Sequence, residues 1–353
     1  MSDISTILTD TCTRLFADLV TADSLRQAEA GTWPDALWSA LEENGLTRPL
    51  VPEDQGGVGV SWQDTAPILY AAGFHGAPVP LAETIVAGWL LAQAGQAVPQ
   101  GAIACADGGG LSLSGAAGNW SISGRLDRVP WGAAAGHVLA SVEHDGQTMF
   151  VLVDPGSTAI EADQNIGRDP RDGMVFDNVV PVSVADVPAR LGADALLVYG
   201  ALARSVQMAG AVAAVLDHCV SYAGDRVQFG RRLAKFQAIQ QQLAGLATEA
   251  AAAQIAALSA CRSADLRDME NGLDFEVATA KIRTGEAAGR AAAIGHQLHG
   301  AIGFTDEHRL HYLTRRLWSW RSEFGAESYW SERLGRAVMA RGADQLWPTI
   351  TSR

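Results

Sequence analysis

Residues Tyr222–Ala244 read YAGDRVQFGRRLAKFQAIQQQLA. Two helical patterns meet here at a Phe229–Gly230 step. Arg226 precedes the step, and Arg231, Arg232 and Lys235 follow it. One reading is a turn between two surface helices. The other is a binding site for a long anionic molecule with an aromatic end. Gly230 can bend the chain, and guanidinium forks match phosphate oxygens. Phe229 and Phe236 can pack against a flat ring, and Gln237 can hydrogen-bond to one.

The flanking sequence sets the architecture. Upstream, the run from about residue 193 to Arg226 has helical spacing throughout. Downstream, a second run extends to Leu266, a third covers Asp274–Gly300, and a final one passes through Leu310–Ala340. Four long helices with short connections predict an antiparallel bundle. Residues 104–190 have a different texture, with Gly-rich turns between alternating apolar and polar positions. HVLASVEHDGQTMFVLVDP reads as two strands joined at Asp145-Gly146. Residues before 103 are again helical, with a run near Ala82–Ala94 and a Pro/Gly-rich loop, RPLVPEDQGGVGVSW. The expected fold is α+β: an N-terminal helical domain (1–103), a middle β domain (104–192) and a C-terminal four-helix bundle (193–353).

Composition narrows the function. The chain has 353 residues and a formal charge of −13, which argues against general nucleic-acid binding. Cys12, Cys105, Cys219 and Cys261 are widely spaced and form no CxxC pair, so neither a zinc knuckle nor a disulfide framework is expected. The opening MSDISTILTDTCTRLF lacks a basic segment before an apolar core, so it does not read as a signal peptide. No run of about 20 uninterrupted apolar residues occurs, so no membrane span is expected, and the expected location is cytoplasmic. GGG at 108–110 reads as a flexible loop, since neither a P-loop nor a GxGxxG between strand and helix is present.

A second stretch, GHQLHGAIGFTDEHRLHYLTRR, carries His296, His299, His308 and His311 with Asp306 and Glu307. Imidazole and carboxylate at helical spacing raise the question of a metal. A Gly-Ala-Ile-Gly break separates the two histidine pairs, and no ExxH pair occurs, so no metal site is expected. The break reads instead as a tight turn that a ligand can approach closely.

Taken together, these stretches resemble the acyl-CoA dehydrogenase family. The resemblance rests on Arg226-Val-Gln-Phe229-Gly230, on Phe236-Gln237-Ala-Ile, and on Gln297-Leu-His-Gly300-Ala-Ile-Gly303-Phe304-Thr305. It extends to GLTRPLVPEDQGGVG near the N-terminus. It implies the same helical, β, helical order. It implies FAD as cofactor and α,β-dehydrogenation of an acyl-CoA, with electron-transfer flavoprotein as acceptor. By the resemblance, Arg226, Gln228, Phe229, Phe236, Gln237, Gln297 and Gly300 meet the adenine diphosphate part of an FAD held mainly by a neighbouring subunit.

The departures from the family pattern concern the catalytic base. The usual Glu lies beyond the G-F-T turn, and constant spacing puts Phe324 there, with Glu323 one residue early. The resemblance leaves Glu323 as the candidate base. Members that carry the base on the helix before the R-x-x-F-G turn match this chain near Tyr199-Gly200-Ala201, which holds no carboxylate. Near the flavin ring, CADGGGLSLSG replaces the usual strand-turn, and Val129-Pro130-Trp131 stands for the second strand. This pattern resembles short members that work as subunits of heterotetramers acting on bulky substrates. The expected assembly is therefore a homo-oligomer, or a heterotetramer with a homologous subunit that supplies the base. The competing reading, from another class, is a helical assembly protein that keeps the fold without flavin chemistry.

Overall fold

The computed structural model describes residues 3–267, 269 and 272–351. The N-terminal part is helical: α1 (Asp3–Leu19), α2 (Ala22–Glu29), α3 (Asp35–Glu43), α4 (Trp62–His75) and α5 (Leu81–Gln93). The α2–α3 stretch, one helical pattern in the sequence, divides at Gly31, whose φ is +91°, and at Pro34, which stands just before α3. Ser61 caps α4 through the Asp64 N–H, and Gly76 ends it in the left-handed region. Buried on nearly every face, α5 carries one acidic residue, Glu83, into the interior.

Eight strands follow: β1 (Ile103–Asp107), β2 (Leu111–Ala116), β3 (Asn119–Pro130), β4 (His137–His144), β5 (Gln147–Val153), β6 (Ala159–Glu161), β7 (Arg171–Val179) and β8 (Ser183–Asp186). They form two four-stranded sheets, β1-β4-β5-β8 and β2-β3-β7-β6, in which only β1 and β4 pair in parallel. The β4–β5 turn is built by Asp145 and Gly146, both at positive φ, as the DG signal requires. In β3 the register slips between Leu126 and Val129, and Arg128 sits in this bulge at φ 57°. The GGG segment is more constrained than a flexible loop. A Cβ on Gly108 would lie 2.2 Å from the Ser141 carbonyl oxygen, and one on Gly110 2.2 Å from that of Arg125. Close backbone crossing, not mobility, requires glycine there.

The C-terminal part begins with α6 (Ala195–Asp225). A hairpin of β9 (Val227–Gln228) and β10 (Arg231–Arg232) leads to α7 (Gln237–Leu266), α8 (Leu273–His299), α9 (Leu310–Ser322), α10 (Glu327–Arg341) and α11 (Leu346–Thr351). At the centre, α6 packs against α4, α5, α7, α8 and α9. Gly73 of α4 and Gly210 of α6 let the two backbones meet, since a Cβ on either would sit 2.1 Å or less from a carbonyl oxygen of the other helix. By length and composition alone α6 and α7 are each long and apolar enough to cross a membrane, a weak signal that core helices share; the apolar stretch of α6 is 94% buried in the bundle and that of α7 33%.

The final run expected at Leu310–Ala340 is broken. Residues 323–326 leave the helix, with Phe324 at φ 52° and Gly325 at φ 89°.

Candidate functional site

The break between α9 and α10 forms one wall of a cavity of about 820 Å³ between the sheets and the bundle. Opposite walls come from Asp107-Gly108-Gly109 after β1, the Asp127-Arg128 bulge, and the first turn of α6 at Leu196 and Leu197.

Glu323 sits at the cavity floor. Its Oε1 accepts from Arg171 Nη2 at 2.6 Å and Nε at 3.1 Å, and from Asn165 at 3.4 Å. Its Oε2 lies 2.9 Å from Arg204 Nη2. Arg204 comes from the first third of α6 and also pairs with Glu83 of α5 and hydrogen-bonds Gln207. Glu83 and Arg204 are fully buried, so one chain of charges ties the N-terminal helices, the sheets and the bundle together. Burial alone would raise the Glu323 carboxyl. Arg171 and Arg204 outweigh burial, Asn165 adds to them, and the pKa is held at about 2. A carboxylate so stabilised is a weak proton acceptor near neutral pH.

Phe324 turns the other way. A Cβ on Gly200 would meet its ring carbons at 2.3 Å. The two places where the family resemblance puts a base therefore share one space, and a phenyl ring over a glycine fills it. Trp330 Nε1 donates to the Phe324 carbonyl at 2.9 Å. A Cβ on Gly325 would strike Trp330 at 2.7 Å, so this position needs glycine for space as well as for φ. Trp131 is buried beneath the Arg171 guanidinium, 4.9 Å from its ring, and Pro130 lines the cavity without an N–H to donate.

The other sequence-predicted residues lie elsewhere. Arg226 follows Gly200 along about 26 residues of α6, roughly 39 Å. The expected turn is a two-stranded hairpin, with Gln228 paired to Arg231 and with Phe229 and Gly230 at positive φ. Phe229 is 89% exposed at its tip. Arg226, Gln228 and Gln237 are exposed, and Arg231 covers the half-buried Phe236 ring at 4.0 Å. Among the described residues, Arg226, Arg231 and Arg232 form no ion pair. Tyr222 of α6 stacks on His299 of α8 at 4.4 Å, so both helices end on the same side. Exposed Gln297 and Gly300 therefore share the hairpin's end of the bundle. The fold gathers these residues together and keeps Glu323 at the opposite end.

The histidines pack as rings. His308 lies 4.5 Å from His299 and 5.6 Å from His218, and His296 stacks on Phe304 at 4.1 Å. Burial pushes all four below the ordinary imidazole range, His308 to about 4.

Sequence reasoning missed Glu83, Arg171, Arg204 and Lys281. A usable signal existed for two of them. Glu83 and Arg204 are single charges inside apolar helical stretches, and a buried charge needs a partner; Lys281, with Arg283 two residues on, gave no such signal.

Residues 5–98 match the family model described as acyl-CoA dehydrogenase, N-terminal domain, and residues 193–339 that of the C-terminal domain. The acyl-CoA dehydrogenase IpdE2 of Mycobacterium tuberculosis is 27% identical over 315 residues, covering 88% of this chain and 89% of its own. Among solved structures, the Tcur3481–Tcur3483 steroid ACAD G363A variant superposes with a TM-score of 0.84 at 26% identity, over 96% of this chain and 98% of that one. The ChsE4–ChsE5 complex from Mycobacterium tuberculosis gives 0.86 at 23% identity, over 95% and 97%.

Proposed function

The chain belongs to the acyl-CoA dehydrogenase family, and from that premise we propose that it serves FAD-dependent dehydrogenation of an acyl-CoA as the subunit without its own base, in a heteromer with a homologous chain. The observation that carries this reading is the Phe324 ring over Gly200, which fills both positions where a base would stand. Glu323 supports it, since its carboxylate is committed to Arg171 and Arg204.

The donor set of the hairpin end fits FAD. Three arginines without ion pairs stand on an exposed turn of a chain whose net charge is −13. Arg226 would hold the diphosphate in fork geometry, Phe229 and Phe236 would pack on the adenine, and Gln228, Gln237 and Gln297 would hydrogen-bond along it. Gly300, at φ 65° with open space where a Cβ would stand, leaves room for close approach. The cleft end carries more carboxylates than cations, with Asp107, Asp127, Glu143 and Asp194 lining it beside Arg128 and the paired Arg171, so the hairpin end suits the diphosphate better. The hairpin would thus complete a flavin site whose ring end belongs to the partner. Bound there, FAD supplies the hydride acceptor, and the partner's carboxylate takes the α-proton. The likeness to the steroid ACAD structure supports a bulky acyl group. Electron-transfer flavoprotein is the acceptor in this reading, and the cytoplasm the location.

The test is to purify the chain alone and with a longer homologous chain that has an intact base, and to measure FAD per chain and anaerobic bleaching by acyl-CoA. The pair is expected to be yellow and to bleach, and Glu323→Gln in this chain is expected to leave turnover unchanged. Loss of turnover with flavin retained in that variant would sink the proposal and make Glu323 the base.

A further inference from the structure

The last carbonyls of α9 lack partners within their own helix, and the break at residues 323–326 leaves them facing the interior. Lys281, in the middle of α8 and fully buried, meets them. Its Nζ donates to the carbonyl oxygens of Trp320 at 3.3 Å, Arg321 at 2.8 Å and Gly325 at 2.8 Å. An ammonium has three protons to donate, and these carbonyls use all three. They lie on both sides of Glu323 and Phe324.

We propose that Lys281 is a positioning residue for the cleft wall: by gripping the chain on both sides of the break, it holds Glu323 between its arginines and Phe324 over Gly200. The rest of the loop fits such a grip. Trp330 takes the Phe324 carbonyl, and Phe324 and Gly325 both hold positive φ, a conformation that persists in a bulky residue only when its surroundings enforce it. The assignment concerns the shape of the wall and stands whichever ligand the cleft takes.

The grip is sensitive to protonation. Burial, the largest influence, pushes the Lys281 ammonium down to about 7. Glu327 of α10 and Glu323 of the break favour the charge, while Arg204 of α6 and Arg321 of α9 oppose it. Above neutral pH the amine keeps two protons for three carbonyls, so one hydrogen bond is lost.

Hydrogen exchange followed by mass spectrometry on the full chain tests this. With rates corrected for intrinsic pH dependence, the segment 320–327 is expected to lose about tenfold in protection between roughly pH 6 and pH 8.5, while α6 and α7 keep theirs. Lys281→Met is expected to show low protection in that segment at both pH values, without the step. A flat wild-type profile would overturn the protonation step, and loosening spread evenly over α8 and α9 in Lys281→Met would overturn the grip itself. The wild-type profile needs no substitution and tests the protonation step even where the variant does not fold.

Discussion

The two ends of α6 are opposites. At the cleft end, Glu83, Arg204, Arg171 and Glu323 are buried and paired with one another. At the hairpin end, Arg226, Arg231 and Arg232 are exposed and unpaired among the described residues, beside a phenyl ring 89% exposed. The first end is electrostatically complete within the chain. The second has guanidinium donors with no carboxylate partner among the described residues, its one cation–π contact being Arg231 over Phe236. Damage at the cleft end should therefore appear as lost stability, and damage at the hairpin end as lost partnership.

The largest effect is expected from Arg204→Met. It removes the cation shared by two buried carboxylates and should cost about 3–5 kcal/mol in denaturant unfolding. A loss below about 1 kcal/mol would show that the cleft charges are solvated after all. Next is Gly200→Ala, whose new methyl must displace the Phe324 ring from a loop fixed on both sides. About 1–3 kcal/mol is expected, relieved when Phe324→Ala is added, so a double-mutant cycle should give a clear coupling. Additive costs would mean the ring does not seal that space.

Acid separates the ends by pH. His308, at the hairpin end, falls from the ordinary 6.5 to about 4. The folded state therefore prefers the neutral ring, and stability is lost as pH drops below about 6.5. Glu323 falls from 4.5 to about 2, so its contribution persists above 4.5 and is lost only below that. Hydrogen exchange should accordingly show residues 296–311 opening before residues 320–327 as pH falls. The reverse order would break the contrast. The smallest effect on stability is expected from Arg226→Ala and Phe229→Ser, each within about 0.5 kcal/mol for exposed positions. In the two-chain assembly, both should still lower the flavin content. Unchanged flavin content there would remove the hairpin from the cofactor site.

The sequence determined much of this by itself. Periodicity distinguished helix from strand because the buried stripe of a helix and the buried face of a strand repeat differently. Asp145-Gly146 fixed a hairpin because few residues accept positive φ. The run from Arg226 to Gln237 marked a turn at Phe229-Gly230 because glycine accepts positive φ, and its arginines and aromatic rings raised a binding surface as one of two readings. These are local signals, carried by neighbours in the chain. Tertiary structure alone decided the rest. Glu323 and Glu83 are 240 residues apart, and only the packed fold brings Arg204 between them. The carbonyls on either side of the helix break at 323–326 meet Lys281 from another helix, and the space at Gly200 is closed by a ring from beyond α9. A pattern in one segment cannot state what a distant segment will press against it. The charge state, the room and the orientation of a side chain are set by that contact, and so the chemistry of the cleft was invisible until the chain was folded.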